Sequence, residues 1–222
     1  IGRRLAIKVL NAAKFVYGFG DDVGEVSEPL DRDMLDKLAI VVEEATAAYD
    51  NFDHAKALDL TEAFFWTFTD DYLELVKERA YTGEGTARTS AITALRQALE
   101  VMLRLLAPVI PFATEEVWSW THDDSIHRSP WPSNEEFDHG TSDTDHSGLL
   151  DLASEALIVL RRSKTDQKVA QKTAVRSATL QAPAQLQQAS ADVKAVGKIE
   201  QLTWAEGESI ELLELELDSD NG

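Results

Sequence analysis

Cations, an amide and an aromatic ring recur at helical spacing near the start of the chain. Arg4, Lys8, Asn11 and Phe15 are three or four residues apart, and at 100° per residue they share one helical stripe about 60° wide. Cations hold phosphates, an amide can read a base edge, and a ring can stack on a base. The stripe is therefore a candidate surface for unpaired RNA. An ordinary amphipathic helix with Phe15 at the edge of the core explains the same pattern.

The stripe stands out because the rest of the chain is acidic. The 222 residues include 21 Lys and Arg against 40 Asp and Glu, for a net charge of -19. Residues 1–19 contain four cations (Arg3, Arg4, Lys8 and Lys14) and no acid. An acidic total disfavours non-specific binding to a phosphate polymer, so any contact with RNA must be local.

A second basic cluster lies between residues 161 and 176, with Asp166 as its one acid. Such a cluster can follow a phosphate backbone. It is equally consistent with a solvated helix end, where cations offset the negative pole of the helix dipole. Its members are Arg161, Arg162, Lys164, Lys168, Lys172 and Arg176.

The sequence offers no catalytic residue and no metal ligand. Glycine-rich phosphate loops and the HExxH and GxSxG motifs are missing, and so are the usual nucleophile and base constellations. His122 and His127 flank two aspartates, but a solvated loop explains them better than a metal site. The chain has no cysteine, and no apolar run approaches the ~18 residues that a membrane span requires.

Hydrophobic periodicity predicts a helical bundle over residues 1–132. Its helices are expected at 1–19 and 31–49, from an Asp53 N-cap through Tyr81, at 87–106, and from Pro111 onward. We interpret the aromatic residues of these helices as core. They are Phe64, Phe65, Trp66, Trp118 and Trp120. The polar stretch 133–147 is predicted to be a flexible acidic linker.

Residues 148–222 follow a different pattern, which predicts a small α/β domain. Because the helical bundle is the larger part, the predicted fold class is mainly α. A helix, the strand AVRSATLQA and the helix PAQLQQASADVKAVGK come first. IEQLTWAE and SIELLELEL are expected to pair as a hairpin around EGE. The doublet Leu212-Leu213 breaks the alternation of the last strand, which indicates a bulge.

Four segments resemble the helical anticodon-binding domain of class I aminoacyl-tRNA synthetases, and most closely that of the valyl enzymes. They are GRRLAIKVLNAAKFV (2–16), FFWTFTDDYLELVKERAY (64–81), LRLLAPVIPFATEEVWSW (103–120) and SIHRSPWP (125–132). Residues 160–180 resemble, more loosely, the junction that follows this domain. APVIPFATEEVW is similar in isoleucyl enzymes, so an isoleucyl module stays an alternative. A helical protein-interaction domain without an RNA role is another.

The resemblance implies part of an ATP-dependent ligase that joins valine to its tRNA. The catalytic and editing domains of the same chain, with the HIGH and KMSKS signatures, are expected before Ile1, where ATP and Mg²⁺ would bind. No cofactor is expected in residues 1–222. The implied partner is the anticodon stem-loop of tRNA(Val), which this region would position for aminoacylation and editing. Lys8, Asn11 and Phe15 would face the anticodon loop. We expect a cytoplasmic monomer that does not contact a membrane.

Overall fold

The computed structural model describes residues 2–137 and 145–218. The first range forms a bundle of α-helices around one apolar core. These helices are α1 (Gly2–Tyr17), α2 (Pro29–Asp50), α3 (His54–Thr67), α4 (Leu73–Thr82), α5 (Gly85–Leu106) and α6 (Pro111–Trp118). None of the helices in the described ranges is long and apolar enough to cross a membrane.

Local sequence signals explain where the helices begin. Pro29 and Pro111 lie in the first turns of α2 and α6, where the missing N–H of proline costs no helical hydrogen bond. The Asp53 side chain accepts a hydrogen bond from the backbone N–H of Lys56 at 3.0 Å, as predicted for the N-cap of α3. The apolar stripe of α1 is buried from Leu5 to Val16.

The long helix expected from Asp53 through Tyr81 is interrupted, and this prediction is wrong in detail. Residues Phe68–Tyr72 wind as a π-helix between α3 and α4. Phe68 and Tyr72 are fully buried and stack at 6.0 Å between ring centroids. The wider turn leaves Asp70 exposed. Such π-turns often occur at functional sites.

The second described range forms a small α/β unit. It comprises α7 (Leu149–Asp166), β1 (Val175–Ala182), α8 (Ser190–Gly197), β2 (Ile199–Glu206) and β3 (Glu211–Leu217). The helix expected from Pro183 begins as the 3₁₀ turn Ala184–Ala189 before α8. The fold class, a mainly α helical bundle followed by a small α/β unit, is confirmed.

The predicted hairpin is wrong, because β1 lies between the other two strands. The strand order is β2-β1-β3, with β1 parallel to β2 and antiparallel to β3. β1 carries the most buried strand positions, and the central place pairs its backbone on both sides. The bulge is confirmed: Thr179 pairs with Glu214 and Leu180 with Leu212, which leaves Leu213 as the extra residue.

A buried ion network joins the bundle to the α/β unit. Arg79 of α4 donates to both carboxylate oxygens of Asp31 at 2.8 Å, and to those of Asp192 at 2.9 and 3.0 Å. Asp31 is fully buried and Asp192 is nearly so. Burial would lower the pKa of Arg79, but the adjacent Asp31 and then Asp192 raise it above its usual range. Arg79 therefore stays charged and connects Asp31 of α2, 48 residues before it, to Asp192 of α8, 113 residues after it.

Asp33, two residues further along α2, makes a second connection. Its two carboxylate oxygens accept from the backbone N–H groups of Gly148 and Leu150, at 2.9 and 2.7 Å. An acceptor at this position satisfies free N–H groups in the first turn of α7. Helix α2 thus fixes where α7 begins.

Residues 138–144 of the predicted linker lie outside the described residues. On one side of them Phe137 is buried, and the Arg104 guanidinium donates to the carboxylate of Glu136. On the other side the His146 ring lies 2.9 Å from the Asp36 carboxylate.

Candidate nucleic-acid interface

Two cations of α1 lie over an aromatic ring of α3. The guanidinium carbon of Arg4 is 4.7 Å from the centroid of the Trp66 ring, and Nζ of Lys8 is 5.7 Å from it. Both distances are typical of cation–π contacts. Trp66 is only partly buried, and its Nε1 donates to Glu62 at 3.2 Å. The core assignment of Trp66 is therefore corrected: its ring forms the base of the cationic stripe.

Asp70, on the π-turn, links the two basic clusters that are 150 residues apart in sequence. Nζ of Lys8 lies 2.8 Å from its carboxylate. Nη1 of Arg161, on α7, donates to the backbone carbonyl of Asp70 at 3.3 Å. The α1 stripe and the first member of the second cluster therefore share one surface.

Further along α1, the stripe continues with an amide and an aromatic group. Asn11 is exposed, and its side chain has no hydrogen-bond partner among the described residues. Phe15 is half-buried and packs edge-on against Phe19 at 4.9 Å and Tyr81 at 5.5 Å. Phe15 thus belongs partly to the core and partly to the surface. Tyr81 is 59% exposed and extends this aromatic surface.

The second basic cluster divides between different surroundings. Arg161 also reaches Glu74 at 3.6 Å. Arg162 lies in a hollow between α7 and β3, with Asp166 at 3.9 Å, and Arg176 lies 3.6 Å from Glu216 across the sheet. Lys168 and Lys172 are exposed in the loop after α7. The six cations therefore do not form one continuous patch.

Lys164 requires a correction, because it is buried. Its side chain is 2% exposed, and Nζ donates to the carbonyl oxygens of Gln171, Thr173 and Gly197 at 3.0, 2.8 and 2.8 Å. Three donors meet three acceptors, so this ammonium holds the 171–173 loop and the end of α8 against α7. It is not available to a strand of RNA at the surface. Burial, and then the charge of Lys198, lower its pKa.

The sequence analysis did not assign Trp66, Asp70 or Tyr81 to the candidate RNA surface. Each lies in an aromatic or acidic helical stretch where burial or solvation is the ordinary expectation. The four-residue spacing of Trp66 and Asp70 was the one signal in the sequence that these two side chains lie on the same helical face. Trp120 is likewise corrected from core to partly exposed, with its Nε1 bonded to Glu116 at 3.1 Å.

The remaining predicted core aromatics are buried as expected: Phe64, Phe65 and Trp118. Trp118 stacks on His122 at 3.8 Å between centroids. The described ranges contain no group of three or more His, Cys, Asp or Glu side chains able to hold a metal ion.

The family model for the anticodon-binding domain of tRNA ligases matches residues 31–179, and the chain belongs to this family. Helix α1 precedes the matched residues.

Comparison with individual proteins gives a narrower likeness. The chain is 47% identical to a valine–tRNA ligase of Leifsonia xyli and 48% identical to that of Cutibacterium acnes, each over 98% of its length. It is 45% identical to the valine–tRNA ligase of Thermobifida fusca over 96% of its length. The chain spans about a quarter of the length of these relatives, 25 to 26%.

Proposed function

We propose that the chain is the anticodon-binding region of a valine–tRNA ligase, and that the α1 stripe is its contact surface for the anticodon loop. The observation that carries the proposal is the placement of Arg4 and Lys8 over the Trp66 ring. Beside them lie the Asn11 amide, which has no hydrogen-bond partner among the described residues, and the half-buried Phe15 packed against the exposed Tyr81. This surface combines the groups that recognise unpaired nucleotides.

Each group on the stripe has a chemical role in this proposal. Arg4 and Lys8 contact phosphates, and Trp66 orients both cations through its ring face. Asn11 offers the two N–H donors of its amide and one acceptor oxygen to a base edge. Phe15 and Tyr81 provide a surface on which a base can stack.

The second cluster extends this surface through Arg161. Lys172 is exposed and lines the same cleft as Arg161, between α4, α7 and α8, and the buried Lys164 lines it too. Arg162, Lys168 and Arg176 are exposed or half-paired cations that would add only salt-sensitive attraction. Asp70 connects the α1 stripe to Arg161.

In this proposal the chemical steps take place in parts of the ligase outside residues 1–222. The region would position tRNA(Val) while the catalytic and editing domains of the same polypeptide carry out aminoacylation and removal of wrong products. ATP and Mg²⁺ would bind in the catalytic part. The similarity to valine–tRNA ligases supports this assignment over an isoleucyl enzyme.

The test is binding of this chain to a valine anticodon stem-loop and to the same stem-loop with its middle anticodon letter changed. We expect a preference of ~1–3 kcal/mol for the valine loop, the size typical of one read base pair position. Lys8→Ala and Phe15→Ala should each reduce it. Measurements at low and moderate salt separate base reading from backbone attraction.

Three outcomes would contradict parts of the proposal. Equal binding to both loops, with a purely salt-dependent loss in Lys8→Ala, would mean that α1 contacts only the backbone. Unchanged affinity after Lys8→Glu would remove the RNA role of the stripe and favour a protein-interaction module. Tighter binding to an isoleucine stem-loop would reassign the amino acid.

A further inference from the structure

A cleft of about 400 Å³ lies where α4, α7 and α8 meet. This volume is within the range of small-ligand sites. Its apolar wall consists of Leu157 and Leu160 from α7, with Ala195 and Val196 from α8. Apart from Gln171 and Gly197, the rest of its lining is charged.

Cations outnumber acids in the lining of the cleft, in a chain whose net charge is -19. The cations are Lys77, Arg161, Lys164, Lys172 and Lys198, and the acids are Glu74 and Glu78. Glu74 accepts from Lys77 at 2.7 Å, and Glu78 from Lys198 at 2.9 Å. Lys172 is exposed and has no ion-pair partner among the described residues. The cleft therefore has a positive charge that its own acids do not balance.

The buried ammonium of Lys164 adds to this charge from beneath. It is fixed by three carbonyl oxygens, so it cannot turn toward solvent. Burial and the neighbouring Lys198 both lower its pKa. An anion in the cleft would offset the repulsion between Lys164 and Lys198.

Arg161 connects this cleft to the α1 stripe. It lines the cleft, and it also donates to the carbonyl of Asp70, whose carboxylate holds Lys8. The stripe and the cleft are therefore neighbours on one surface, with Asp70 between them.

We propose that the cleft binds one unpaired nucleotide of the RNA strand that lies on α1, with its phosphate held by Lys77, Lys172 and Lys198 and its base against Leu157, Leu160 and Val196. This inference rests on the proposed RNA binding, and it places a second contact outside the anticodon stripe. Unpaired bases are commonly turned out of a strand into pockets of this kind.

The first test uses the small probe uridine 5′-monophosphate with the 222-residue chain. Methyl NMR resonances of Leu157, Leu160 and Val196 should shift with the nucleotide and stay in place with uridine, which lacks the phosphate. Lys77→Ala/Lys172→Ala should abolish the shifts. No shift in the unmodified chain, or the same shifts in the double variant, would overturn the site.

The second test uses the stem-loop RNA and a matched control. Lys56→Ala/Lys194→Ala removes two exposed cations that do not line the cleft, so it changes the total charge equally. The cleft variant should lose affinity and reduce the slope of log K against log salt by about 1 for a lost phosphate. The control should keep the slope. Equal losses of RNA affinity in both variants would mean that the effect comes from the net charge of the chain alone, and this would overturn the inference.

The two tests separate failure of this inference from failure of the proposed function. If the nucleotide binds in the cleft but the stem-loop does not bind the chain, RNA recognition by α1 fails and the cleft remains only a nucleotide site. If the stem-loop binds and the cleft variant leaves its affinity and salt slope unchanged, the second contact is excluded while the α1 stripe stands.

Discussion

The ammonium of Lys8 lies 2.8 Å from the carboxylate of Asp70, which is 62 residues further along the chain. The same ammonium faces the ring of Trp66. A phosphate that approaches Lys8 must therefore compete with a carboxylate already in place. In the proposed RNA complex, Asp70 would act against indiscriminate binding of anions, because only a ligand with further contacts on the stripe would gain enough to displace it.

Replacing Asp70 by Asn should therefore strengthen RNA binding. An exposed ion pair is worth ~0.2–1 kcal/mol, so affinity should rise about one and a half- to fivefold. The preference for the valine loop should fall, because the added affinity is not base-specific. Fluorescence anisotropy with both stem-loops measures both effects. Asp59→Asn, an equal charge change at an exposed position of α3, is the control; an equal rise there would show a bulk charge effect.

Tyr81 should contribute stacking energy to the RNA complex. Its ring is exposed and packs edge-on against Phe15 and Phe19. Tyr81→Ala should weaken binding by ~1–3 kcal/mol, the range for one stacked base, while Tyr81→Phe retains it. Phe112, which is 91% exposed on α6, provides the comparison: Phe112→Ala should leave RNA affinity unchanged. A similar loss in both alanine variants would argue against a specific stacking surface.

Arg79 should be essential to stability, because it neutralises two buried carboxylates. Arg79→Met leaves Asp31 and Asp192 buried without a counter-charge, which should cost about 3–5 kcal/mol of unfolding free energy. Urea denaturation measures the loss. Lys37→Ala breaks another ion pair between the bundle and the α/β unit, with Asp151 at 2.7 Å, but this pair is solvated and should cost less than about 1 kcal/mol. Comparable costs would mean that the buried network is not the main connection.

The pairing of Glu136 with Arg104 should make stability depend on pH. Burial alone would raise the pKa of Glu136, but hydrogen bonds from Arg104 and from the N–H of Ser133 lower it below its usual 4.5. A carboxylate with a lowered folded pKa stabilises the protein above the unfolded pKa, and this contribution is lost as pH falls through the folded value.

The measurement for this pair compares unfolding free energies of the unmodified chain and Glu136→Gln between pH 7 and pH 3. At pH 7 the unmodified chain should be more stable than Glu136→Gln, by at most about 1 kcal/mol because the Glu136 side chain is partly exposed to solvent. The gap should narrow below pH 4.5. Glu135→Gln, at the exposed neighbouring position, should show no such narrowing. A gap independent of pH would contradict the assignment.

Much of the fold could be predicted because its signals are local. Helix α1 has its apolar residues at steps of three and four, and Asp53 caps α3 as expected. The bulge at Leu213 follows from two adjacent leucines in one strand. The order of the strands could not be predicted in this way. β3 pairs with the edge of β1 opposite β2, and the turn residues between β2 and β3 do not indicate this pairing.

The candidate site was predictable only in part, for a similar reason. The sequence by itself determined the register of α1, and hence that Arg4, Lys8, Asn11 and Phe15 share a face. The tertiary structure alone decided what lies against that face. The π-turn sets the direction of Asp70, and packing of α3 brings Trp66 beneath two cations.

Lys164 shows the same division within the second cluster. In the sequence it is one of six similar cations, but the fold closes the 171–173 loop and the end of α8 over its side chain. Helical periodicity is fixed by residues three or four positions apart, so the sequence alone determined it. Burial, charge pairing and the cleft depend on residues tens of positions apart that meet only when the chain is packed, and the tertiary structure decided them.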